Sequence, residues 1–130
     1  MAYEFGPDVQ ITLVAGADLS LQQYHFVKLN ASGQAIAVAA ATDKAIGILQ
    51  NNPTLGGEAL VVVVGGSKMV ASAAMAVGDA IGTSATGTGV TVVPGTDITK
   101  FNFGQVLTAA SAANDIITAV INCASAGRAA

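Results

Sequence analysis

The feature that most constrains the fold is a pattern that occurs twice. Residues 47–64, GILQNNPTLGGEALVVVV, hold a short apolar stretch, a small-residue turn, one acid and a long apolar run. A shift of 57 positions lays this stretch without a gap on residues 104–121, GQVLTAASAANDIITAVI. Gly47 then falls on Gly104, Glu58 on Asp115, Leu60 on Ile117 and Val64 on Ile121. β-branched side chains suit an extended, pleated backbone, so the run from Leu60 to Val64 reads as a strand. It is too short for a bilayer span and is bounded by Gly56-Gly57 and Gly65-Gly66, which predicts a strand buried on both faces. Upstream the repeat continues at a shift of 54, with Val27 on Ile81, Gly33 on Gly87, Ile36 on Val90 and Val38 on Val92. The extra residues fall between Val92 and Gly104, where Pro94-Gly95-Thr96-Asp97 reads as a turn.

The rest of the chain fits the same plan. Val9, Ile11 and Leu13 alternate with polar residues, as in a half-buried strand. Residues 24–29, YHFVKL, read as a second strand with Tyr24, Phe26 and Lys28 on one face. Residues 30–33, NASG, form a hairpin connection because Asn and Gly tolerate positive φ. Residues 71–77 are Ala-rich and read as strand or loop. Phe101 and Phe103 share one face of an extended segment, and residues 116–123 form the last strand. The prediction is all-β: a compact barrel or tulip-like clip of about ten short strands, with an approximate internal two-fold. The single domain spans 9–130, with halves at about 9–66 and 67–123. An extended N-terminal arm, residues 1–8, precedes it, and the tail from 124 to 130 stays mobile unless docked.

Composition narrows the function. Only 10 % of residues are charged and 52 % are hydrophobic, while Ala and Gly make up close to a third of the chain. A surface so poor in charge is covered by other chains rather than by water. The five cations stand singly at Lys28, Lys44, Lys68, Lys100 and Arg128, which argues against phosphate-mediated nucleic-acid binding. The N-terminus lacks the basic and apolar regions of a signal peptide, and no window is long and apolar enough for a transmembrane helix. With a single Cys123, no internal disulfide is possible.

The residues offer no catalytic set. His25, the lone imidazole, reads as structural or interfacial, and Cys123 as a small buried apolar residue. The eight acids sit in turn-like contexts, where Asp binds its own backbone. No zinc ligand set, EF-hand spacing or phosphate-binding glycine loop occurs, so no catalytic, metal or cofactor site is expected. The arm differs: Tyr3, Phe5 and Pro7 alternate with Glu4 and Gly6 in an otherwise aromatic-poor chain. Tyr3, Glu4, Phe5 and Pro7 are the candidate partner-binding residues.

Several stretches together carry a family likeness: the acidic aromatic start, Ala17-Asp18-Leu19-Ser20, Tyr24-His25-Phe26-Val27-Lys28-Leu29, Ala45-Ile46-Gly47-Ile48-Leu49-Gln50-Asn51-Asn52-Pro53, a Gly-Glu before a Val run, and Val77-Gly78-Asp79. In these the chain resembles the capsid decoration, or cement, proteins of tailed bacteriophages, from about Tyr3 to Ile121. The resemblance implies a virion protein made in the host cytoplasm and placed on the outer surface of the head. There it would act as a homotrimer at three-fold and quasi-three-fold positions, bridging major capsid protein subunits against the pressure of packaged DNA. It implies no enzyme, nucleic-acid or membrane role. The alternative is a tail or surface β-module that binds glycans, which the absence of Trp disfavours.

Overall fold

The computed structural model describes residue 2 and residues 8–130. The described residues contain no helix. In chain order the strands are β1 (Val9–Val14), β2 (Phe26–Leu29), β3 (Ala35–Ala37), β4 (Gly47–Leu49), β5 (Glu58–Val70), β6 (Ala80–Thr83), β7 (Gly89–Thr91), β8 (Phe101–Asn102), β9 (Gly104–Val106), β10 (Ile116–Asn122) and β11 (Gly127–Arg128). Nine of them form one antiparallel sheet in the order β3-β2-β4-β5-β10-β9-β6-β7, with β1 added on β5, while β8 and β11 form a separate pair. The large sheet is strongly curled into a half-barrel. The buried core includes Phe26, Ile48, Leu49, Val61, Met69, Ile81, Phe103, Ile117 and Ile121, drawn from both faces of the sheet, since Ile48 and Leu49 are adjacent in β4.

The strand order is a palindrome, and the registers explain why. Val27 faces Ala37 and Leu29 faces Ala35 in the first half; Ile81 faces Thr91 and Thr83 faces Gly89 in the second, all at a shift of 54. β2 meets β4 as β6 meets β9, with Val27 opposite Gly47 and Ile81 opposite Gly104. β1 lies on the first part of β5 as the last part of β5 lies on β10, with Leu13 opposite Ala59 and Met69 opposite Ile117. So β5 is two repeat strands in one. Its residues up to Val64 close the first repeat, and those from Gly65 open the second.

β1 and β10, two of the three strands paired with β5, lie end to end on one side of it. The carbonyls of Gly57 and Val63 accept from Ala15 and Cys123 on that side, and that of Leu60 accepts from Gln50 of the β4 side. Strand backbone groups alternate sides with a period of two, so β1 and β10 share an edge. They meet at Val64, which is opposite both Val9 and Asn122. The arrangement has an approximate two-fold centred near Val64, with the break between chain ends at the place related to the continuous Val64-Gly65 bond.

Three expectations change in detail. The strand does not stop at Gly65-Gly66 but passes through them to Val70. Gly65 has φ +123, and a Cβ there would lie 2.5 Å from that of Asp8, so the glycine is what lets β5 run on beneath the start of β1. Tyr24 and His25 precede β2 instead of belonging to it: Tyr24 has φ +63, which breaks an extended run, and the repeat places Gly78, φ +87, at the same position. The gapless shift of 57 also fails beyond the turn. β10 is related to β5 by 58, which puts Ala59 on Ile117, Val61 on Ala119 and Val63 on Ile121, all buried. One residue is inserted in the second turn, where Asn114, φ +70, takes the place of Gly56, φ +82. A one-residue slip in a strand reverses its faces, so the hydrophobic pattern decides the register against the gapless alignment.

The tail docks. Arg128 donates to the Thr99 carbonyl and its guanidinium lies 4.7 Å over the Phe101 ring, while Ala129 donates to Lys100 at 2.8 Å. Phe101 and Phe103 stack at 6.1 Å, and Phe103 meets Phe26 at 5.0 Å.

Candidate functional site

Tyr3, Glu4, Phe5 and Pro7 lie outside the described residues, so the candidate site must be built from the surface that the β domain presents. His25 sits half-buried in the turn before β2, with its Nδ1 3.0 Å from the Gln23 carbonyl; that contact makes Nδ1 the protonated nitrogen. Cys123 is buried at the end of β10, and burial pushes its thiol up to about 12. A group so reluctant to ionise is a poor nucleophile or metal ligand.

The aspartates tie turns. Asp43 accepts from Lys28 at 2.8 Å and from the N–H groups of Ala39 and Ala40. Together the Lys28 contact and these backbone donors hold its carboxyl below the ordinary value. Asp97, at the same place in the second repeat, accepts from Val93 N–H at 2.7 Å. Asp115 accepts from the backbone and hydroxyl of Ser111 and from Ala112, and these bonds lower its pKa; Ser20 does the same for Asp18. Asp79 accepts from Ala76 N–H and the Thr91 hydroxyl. Among the described residues no group of three or more His, Cys, Asp or Glu is placed to hold a metal ion. No helix of the described residues is long and apolar enough to cross a membrane.

What the surface does present is apolar. Leu21 is 85 % exposed and Val77 65 % exposed. They lie in the loops that follow β1 and β5, so each repeat carries a bare aliphatic side chain. Leu55, Val9, Val14, Ile98, Val93 and Ile116 are exposed as well. Scattered exposed aliphatics are ordinary on a charged surface; here they belong to a chain of which only 10 % of residues are charged. Sequence reasoning anticipated a covered surface but not these positions, because nothing in an alternating pattern marks a loop leucine as exposed.

No protein-family model and no curated protein matches the sequence. A solved structure does: the N base of the head fiber gp8.5 in bacteriophage phi29, 21 % identical, covering 88 % of this chain and 94 % of that one, with a TM-score of 0.65. This chain has the fold of that head-fiber base. The likeness covers both repeats, since a match over nearly nine-tenths of the chain cannot be confined to one of them.

Proposed function

We propose that the protein is a structural component of a bacteriophage head. It sits on the outer surface of the assembled capsid, bridges neighbouring major capsid protein subunits, and works as a homotrimer. The observation that carries this reading is the fold shared with a phage head-fiber base over almost the whole length of both chains. The low charge and the exposed aliphatics of both repeats support it, because they suit a chain whose surface is completed by neighbours. The turn-bound aspartates and the un-ionised Cys123 assign no chemistry that such a role would leave unexplained.

Stabilisation follows from linkage. A ligand that binds the assembled shell and not its loose subunits lowers the free energy of the shell at every occupied site, by RT ln(1 + [L]/Kd) each. A modest affinity repeated over many sites is enough to resist internal pressure. The N-terminal residues Tyr3, Glu4, Phe5 and Pro7 are assigned to capsid contact, as an aromatic and acidic segment that can fill a groove on the shell.

The test adds purified protein to expanded phage heads that lack it, and follows occupancy by cosedimentation and head rupture on heating. The expected results are saturable binding and a higher rupture temperature, with occupancy reduced when residues 1–8 are deleted. Heads that neither bind the protein nor gain heat resistance would refute the reading. Unchanged occupancy after the deletion would remove the arm from it.

A further inference from the structure

The pseudo-two-fold leaves one backbone edge without a paired strand among the described residues. In the second repeat the segment ahead of β9 is covered by the tail: β11 pairs with β8, Gly127 opposite Asn102 and Arg128 opposite Phe101. A shift of 57 relates β8 to Lys44 and Ala45 in the first repeat. No strand lies on that segment. Neither the N–H nor the C=O of Lys44 or Ala45 has a hydrogen-bond partner among the described residues, although Ala45 is only 1 % exposed. Buried backbone groups are nearly always paired, and an unpaired strand edge is a template for another strand. Beside this edge lies a cavity of about 300 Å3 lined by Leu29, Lys44, Ala45, Ile46, Cys123 and Ala124. Lys44 is exposed at its rim, with no carboxylate partner among the described residues.

The topology explains the asymmetry. β10 ends at Asn122, and the chain turns and returns as β11 along β8. Its mate β5 does not turn after Val64 but runs on as the first strand of the second repeat. No strand of the described residues is left to pair with Lys44 and Ala45.

We infer that this edge accepts an extended segment of the capsid protein as an added antiparallel strand, with a carboxylate against Lys44 and a small apolar side chain in the cavity. This rests on the capsid reading above. The tail supplies the template for the occupant. In the second repeat the side chain opposite residue 101 is Arg128, a cation stacked on an aromatic ring. In the first repeat residue 101 is replaced by a lysine, so the matching side chain of the partner is an acid. Main-chain bonds supply the affinity of such an added strand and the alternate side chains its specificity.

The probe is the hexapeptide Ser-Ala-Gly-Glu-Ala-Ala, the chain's own residues 125–130 with Glu at the place of Arg128, compared with the unaltered Ser-Ala-Gly-Arg-Ala-Ala. Each is titrated into the 15N-labelled full-length protein. The acidic peptide shifts the amides of Ala45, Ile46, Cys123 and Ala124; Lys44→Glu weakens it at least tenfold and improves the basic peptide. No shift at these amides, or an equal response to both peptides, overturns the edge as a strand acceptor. Binding that appears only after deletion of residues 1–7 makes the chain's own N-terminus the occupant and overturns the capsid as partner.

A second arm uses heads. Ala124→Trp fills the cavity from its exposed rim, with an unchanged melting temperature as the folding control. Head occupancy falls at least tenfold if the capsid supplies the strand. Normal occupancy by this variant, with peptide binding lost, overturns the capsid as occupant while leaving head binding itself established by the same assay. If the wild-type protein ignores heads altogether, the capsid reading and its occupant fall together, and the peptide shifts still judge the edge.

Discussion

Gly33 and Gly87 occupy the same place in the two repeats and make a matched pair for perturbation. Both close a hairpin with positive φ, +75 and +89. Both hairpins are tied alike: the Asn30 side-chain oxygen accepts from Ser32 and Gln34, and the Ser84 hydroxyl accepts from Thr86 and Thr88. The second hairpin packs at its glycine on the other repeat. The Gly87 carbonyl accepts the Phe26 N–H at 2.7 Å, and a Cβ at Gly87 would lie 2.7 Å from the Phe26 carbonyl oxygen and 3.3 Å from the His25 Cβ. Around Gly33 nothing lies within 4 Å. This contact helps close the curl of the half-barrel, and it is one of the places where the two-fold fails. Gly33→Ala carries the left-handed backbone cost alone, about 1 kcal/mol. Gly87→Ala carries the same cost, and the hairpin must also move off Phe26. The lost hydrogen bond and the buried groups left unpaired add about 2 kcal/mol, for about 3 in all. At roughly 3–5 °C per kcal/mol for a domain of this size, thermal unfolding should fall by about 4 °C and about 12 °C respectively. Circular dichroism melts at two protein concentrations measure both and separate any effect of association. Equal shifts for the two variants would refute the claim that the second hairpin holds the curl.

Cys123 should resist thiol reagents at pH 8 in the folded protein and react at once in denaturant. Because its folded pKa is raised to about 12 from the ordinary 9.0, its contribution to stability is complete below about pH 9 and is lost as pH rises toward 12. Alkaline melts of the wild type should therefore fall more steeply than those of Cys123→Ala. Asp43→Asn weakens the contact with Lys28 and the acceptor for two turn N–H groups, and should cost about 1–2 kcal/mol in chemical denaturation. The lowered pKa values of Asp18, Asp43 and Asp115 have the opposite sign to that of the thiol: the stability they confer is present above the ordinary value of 3.8 and is lost as pH falls below it. An acid titration followed by circular dichroism checks this, and Asp43→Asn should flatten it.

Much of the fold was legible in the chain. The hairpins at 26–37 and 80–91 coincide with the shift of 54, because paired Gly33 and Gly87 fix the turns and period-two alternation fixes the faces. Phe101 and Phe103 were readable as neighbours on one face. Tyr24 was not readable as a turn residue, since a β-prone aromatic gives no sign that its φ will be positive. The candidate arm, Tyr3 to Pro7, belongs to residues the structure does not describe, and the surface features that replaced it were silent in the sequence. Leu21 and Val77 look like core residues until the loops that carry them are placed.

The amino-acid order alone determined that the chain is all-β and duplicated, because alternation and glycine placement are local properties that survive without coordinates. Tertiary structure decided three things: that Val64-Gly65 is the midpoint of one strand, that the tail covers the second repeat and not the first, and that Ala45 is buried without a backbone partner. Each depends on which segments meet across the sheet. A repeat in sequence fixes what its two copies share, whereas their differences arise where a continuous chain must turn in one copy and run straight in the other.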